Sequence, residues 1–81
     1  MPKMKVVGGK DLIKFFAKHG FEKIDQRDSH VKIRRTGLNG KETLTIPVHA
    51  EIDRGLLKQI FLQASRYISE SDLRAYFYHK N

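Results

Sequence analysis

The chain has no cysteine and no tryptophan, two prolines, and only 9 acidic residues in 81. Without cysteine there is no disulfide framework and no thiolate metal site, a composition suited to a reducing compartment. No apolar run approaches the roughly 20 residues that span a bilayer, and the opening "MPKMKVVGGKD" lacks the apolar centre of a secretory signal. "GLNGKET" has two glycines but not the signature of a phosphate-cradling loop between strand and helix. No serine or cysteine nucleophile motif is present. The four histidines have no i, i+4 pairing and no accompanying carboxylate cluster, which argues against a transition-metal site. Together these absences lead to the expectation of a soluble, cytoplasmic protein with no cofactor, no metal and no membrane contact.

What the chain does have is positive charge. Lys and Arg total 16, for a net +7. That balance favours a polyanionic partner, either nucleic acid or an acidic protein. A chain of this length buries only about 60–65% of its unfolded surface, which suits one small domain over 1–81. Its core is expected at about 9–66, with a helical extension at about 69–79.

Hydrophobic spacing divides the chain. Leu12, Ile13, Phe16 and Ala17 recur at helical intervals and predict a helix over about 10–19, with Gly9 as N-cap and Gly20 as the stop. Phe21 should fold back on it. "FEKIDQR" is a weak strand pattern. "SHVKIRR" and "ETLTIPV" alternate clearly, and Asn39-Gly40 between them is a hairpin signal. Pro47 marks a strand end or an edge. Ile52, Leu56, Leu57, Ile60, Phe61 and Ala64 form one helical stripe behind Asp53 as N-cap, and Ser69 and Asp72 open a last short helix. The expected fold class is α+β in the order α-β-β-β-α: a three-stranded antiparallel sheet packed on two helices, plus a short C-terminal helix.

The strand alternation locates the chemistry. If Val31 and Ile33 face the helices, His30, Lys32 and Arg34 share the opposite face, alongside Thr43 and Thr45 of the next strand. Cations and a hydroxyl can hold a phosphate, and an imidazole beside them has the pKa to move a proton near neutrality. RNA carries its own nucleophile, the 2′-OH, so such a face can cut RNA without a metal. The same row also reads as a solvated surface on which His30 is a polar filler. His19 sits where an imidazolium complements a helix C-terminus, His49 follows the last strand and can approach the same surface, and His79 lies at an end expected to fray.

The segments "DLIKFFAKHGFEKIDQRDSHVKIRR", "TLTIPVH" and "GLLKQIFLQA" resemble the HicA toxins, small mRNA interferases of type II toxin–antitoxin modules. The resemblance runs from about Lys10 to the last helix. It implies a double-stranded-RNA-binding-domain-like fold and a metal-independent endoribonuclease that cleaves mRNA. It also implies that the histidine of the Ser-His pair, His30, is catalytic. Lys32, Arg34, Ser29 and His49 are then candidate RNA-binding residues. The family usually has glycine before the Ser-His pair, where this chain has Asp28. An implied partner is an acidic, HicB-like antitoxin that covers the active site, with Tyr76, Phe77 and Tyr78 as candidate apolar anchors. Two alternatives remain open from the residues: a non-catalytic RNA-binding module using the same basic face, and an interaction protein that binds an acidic partner.

Overall fold

The computed structural model describes residues 3–38 and 40–79. The elements run α1 (Gly9–Ala17), β1 (Glu22–Arg27), β2 (His30–Gly37), β3 (Gly40–Pro47), α2 (Arg54–Ala64) and α3 (Glu70–Phe77). This is the expected α-β-β-β-α order with an added C-terminal helix. The strands are antiparallel in the order β1-β2-β3, so β2 is central. Among the described residues no helix is long and apolar enough to cross a membrane.

α1 starts one residue earlier than its spacing predicts. Gly8, not Gly9, is the N-cap, and the Asp11 carboxylate accepts from the Gly8 N–H at 3.1 Å. Close packing explains the shift: a Cβ on Gly9 would overlap the Pro47 carbonyl, so the helix start presses on the end of β3. At the other end Gly20 takes a left-handed φ of +92°. Its N–H donates to the Ala17 carbonyl at 3.0 Å, and Phe21 N–H donates to Phe16 at 3.1 Å, the paired bonds of a Schellman stop. Phe21 thereby folds back on Phe16, as expected, with ring centroids 5.7 Å apart.

Asp53 caps α2 by accepting from Leu56 N–H at 2.9 Å, and Ser69 caps α3 by accepting from Asp72 N–H at 3.2 Å. The inner sheet face (Val31, Ile33, Leu44, Ile46) meets Leu12 and Phe16 of α1 and Leu57, Ile60, Phe61 and Ala64 of α2 in one buried cluster. The turn signal at Asn39 falls outside the described residues. Gly37 pairs with Gly40, whose φ is +104°.

α3 belongs to this core. Leu73 and Phe77 have no exposed surface, and Tyr76 stacks on Phe15 with centroids 4.2 Å apart. Burial, with the Asp11 charge second, pushes the Tyr76 phenol above its ordinary pKa. The expectation that Phe77 anchors a partner is therefore corrected, because it is core; Tyr76 and Tyr78 are half-buried against it. His79, expected in a frayed end, is paired instead. Lys5 N–H donates to the Phe77 carbonyl, His79 N–H donates to Lys3, and Met4 bridges Tyr78.

Arg35 follows Val31 and Ile33 on the inner face, where alternation would place a third apolar residue. Its guanidinium donates to Glu42 Oε1 (2.6 Å), the His19 carbonyl (2.7 Å) and the Tyr67 carbonyl (2.6 Å), and lies 4.9 Å from the Phe21 ring centroid. One side chain thus joins β2, β3, the end of α1 and the segment after α2. Arg35→Ala should lower unfolding stability by about 3 kcal/mol, because it strands a half-buried Glu42 and two carbonyls. Urea denaturation checks this, with Glu42→Gln expected to cost less since its amide oxygen still accepts.

Candidate functional site

The site is built on the β1–β2 turn. Arg27 pairs directly with His30, leaving only Asp28 and Ser29 between the strands. So tight a turn needs a left-handed residue, and Asp28 supplies it with φ +53°. Asp tolerates this conformation better than most residues. Gln26 Nε2 donates to the Asp28 carbonyl at 3.1 Å, and Val48 N–H donates to the Ser29 carbonyl at 2.6 Å. The second bond ties the turn to the chain leaving β3.

From this turn the register runs Arg27 opposite His30 and Asp25 opposite Lys32, with Thr45 opposite Lys32 on β3. Val31 and Ile33 point into the core, so these five side chains share the face away from it. They line an open cleft of ≈ 370 Å³. Its cations are Arg27 and Lys32, its titratable imidazole is His30, its hydroxyl is Thr45, and its carboxylate is Asp25. Asp25 lies 3.8 Å from Arg27 Nε, a loose pair in which the Arg27 side chain is 90% exposed. Chemically, the cleft offers phosphate recognition by ammonium and guanidinium groups next to a proton carrier.

Of the sequence-predicted set, His30 and Lys32 line this cleft. Arg34 is on the same face but donates to Thr43 Oγ1 at 2.9 Å and borders a separate cleft with Glu22 and Ile24. Ser29 is half-buried, with its backbone committed to Val48. His49 is carried to the start of α1, where it borders a cleft of ≈ 440 Å³ with Gly8, Lys10, Asp11, Val48 and Ala50. That cleft shares no lining residue with the His30 cleft. The expectation that His49 approaches the same surface thus meets a chain that turns toward α1 after Pro47. His19 flanks Phe15 at 4.9 Å, at the opposite end of α1. Among the described residues, no group of three or more His, Asp or Glu side chains is close enough to hold a metal ion.

Arg27 and Asp25 are the site residues that strand patterning misses. β1 is fully exposed and broken by a bulge at Ile24, so it has no alternation to read. The available signal was the two-residue spacing of the turn, which sets residue 27 against residue 30.

The family model "HicA toxin of bacterial toxin-antitoxin" matches residues 9–65, well over half of the chain. The chain belongs to the HicA toxin family. It is accordingly a toxin of a toxin–antitoxin system, and its family implies an antitoxin partner. No curated protein and no solved structure matches it. The match covers the whole sheet with α1 and α2 and stops before α3.

The left-handed φ accounts for Asp28 standing where the resemblance expects glycine, since both residue types accept that conformation. Asp28→Gly should be tolerated, shifting stability by less than about 1 kcal/mol. Asp28→Val should lose about 1–2 kcal/mol or more, because a β-branched residue is strained at positive φ. Thermal or urea unfolding of the two variants checks the opposite expectations.

Proposed function

We propose that this toxin is a metal-independent endoribonuclease that cleaves mRNA on the helix-free face of its sheet, with His30 as general acid or base. The observation that carries the reading is the placement of an exposed His30 beside Lys32 in a cationic cleft, on a chain of the HicA toxin family. In the reaction the RNA 2′-oxygen attacks the adjacent phosphorus and the bond from phosphorus to the 5′-oxygen breaks. The 2′-OH proton is taken up, and the leaving oxygen receives one. The products are a 2′,3′-cyclic phosphate and a 5′-OH. His30 handles one or both proton transfers, and Lys32 neutralises the phosphate. The nucleophile belongs to the substrate, so the chemistry demands no metal-bound water.

Lys32 holds the phosphate nearest His30, and Arg34, Ser29 and His49 extend contact along the RNA outside that cleft. The substrate places the protein in the cytoplasm, and an acidic HicB-like antitoxin is the partner that covers His30. Steering between a +7 protein and an acidic inhibitor favours fast association. With Phe77 buried, that inhibitor draws on the sheet face rather than on the C-terminal aromatics.

The test is cleavage of labelled RNA in excess EDTA by wild type and His30→Ala. Wild type should cut, and replacing the 2′-OH at the cut site with hydrogen should stop it. His30→Ala should lose on the order of 10²–10⁴-fold in rate, while its stability changes by about 0.5 kcal/mol or less because the side chain is exposed. Cleavage by the variant at the wild-type rate removes His30 from the mechanism. RNA that is bound but never cut makes the protein a binding module on the same face.

A further inference from the structure

Arg27 stands apart from the other cations of the sheet. Of the five arginines and lysines of β1 and β2, Arg27, Lys32 and Arg34 compete for the role of charge stabiliser at the phosphate cut beside His30, and the register ranks them. Arg27 is the direct cross-strand partner of His30, which puts their Cα atoms roughly 4.5–5.5 Å apart. Lys32 is the next same-face residue along β2, about 7 Å from His30. Arg34 is one step further, about 13 Å away, and its Nε is already held by Thr43. A phosphate that touches the His30 imidazole is therefore within reach of Arg27 and Lys32 and beyond the tethered Arg34.

We infer that Arg27 is the guanidinium that grips the scissile phosphate in this cleft. The inference rests on the ribonuclease reading and adds a catalytic residue to it. Three features suit Arg27 to the role. Its side chain is 90% exposed, so it is free to close over a ligand. Among the described residues its one ion pair, with Asp25, is long at 3.8 Å and leaves the guanidinium donors largely open to a ligand. Its planar fork matches two non-bridging phosphate oxygens, which a lysine ammonium cannot do. Charge grows on those oxygens as the 2′-oxygen bonds to phosphorus and before the 5′-oxygen departs. Donors aimed there act mainly on the rate of the bound complex.

The experiment is single-turnover cleavage at saturating RNA, with affinity measured separately on RNA carrying a 2′-deoxy residue at the cut site. Arg27→Ala should lower the saturating rate by about 10²–10³-fold, the typical cost of removing one transition-state donor, with a much smaller change in affinity. Arg27→Lys should recover only part of that rate, and millimolar guanidinium chloride should partly rescue Arg27→Ala. Arg34→Ala should lower the saturating rate at least tenfold less than Arg27→Ala does. An active wild type whose saturating rate survives Arg27→Ala, or falls equally in Arg34→Ala, overturns the assignment alone. A wild type that cuts no RNA overturns the ribonuclease reading and the assignment with it.

Discussion

The register of β2 governs both halves of this molecule. Val31 and Ile33 must meet the helices, and the residues between them must then face away. A slip of one residue would expose both apolar side chains and drive Lys32 and Arg34 inward. Loss of the two burials alone forfeits about 3–6 kcal/mol. A chain of this size has a total stability on the order of 4–12 kcal/mol. The register that builds the core therefore also fixes the functional face. Two devices hold it in place: the two-residue turn at Asp28-Ser29 on one side, and Arg35 with Glu42 on the other. Arg35 closes the inner face with three hydrogen bonds and a stacked Phe21 ring, so its charge is satisfied.

The segment beyond the family match completes the back of the fold. α3 contributes Leu73 and Phe77 to the core and stacks Tyr76 on Phe15 of α1. The lead-in residues Lys3 to Lys5 pair with the chain leaving α3, so the first and last described residues lie together. These contacts cover apolar surface of α1 and α2 on the side away from the His30 face. Aromatic residues near a chain end invite a docking role on composition, but here packing claims them.

Much of this was legible in the sequence because α1, α2 and two strands carry their burial as a simple period. α2 could be read down to its Asp53 cap, and Gly20 with Phe21 announced the Schellman stop. β1 was legible only as a weak strand pattern, since an edge strand with every residue exposed and a bulge at Ile24 has no buried period to display. The role of Arg35 was equally hidden: its partners lie 16 and 32 residues away, and no local pattern encodes them. In the candidate site, the shared face of His30 and Lys32 followed from alternation, while their expected roles came from the family resemblance. Arg27 required the pairing across the turn, and His49 borders a different cleft because the chain after Pro47 turns to meet the start of α1.

The candidate site and the core thus share one cause, and the proposed function makes the helix-free side of the sheet the surface through which this toxin acts. A backbone and side-chain NMR titration with RNA made uncuttable by a 2′-deoxy residue tests that claim directly. The account predicts that the largest shifts fall on His30, Lys32, Arg27 and Thr45, with α1 and α2 little changed. Shifts concentrated on the exposed lysines of α1 and α2, with His30 and its neighbours unmoved, would contradict it.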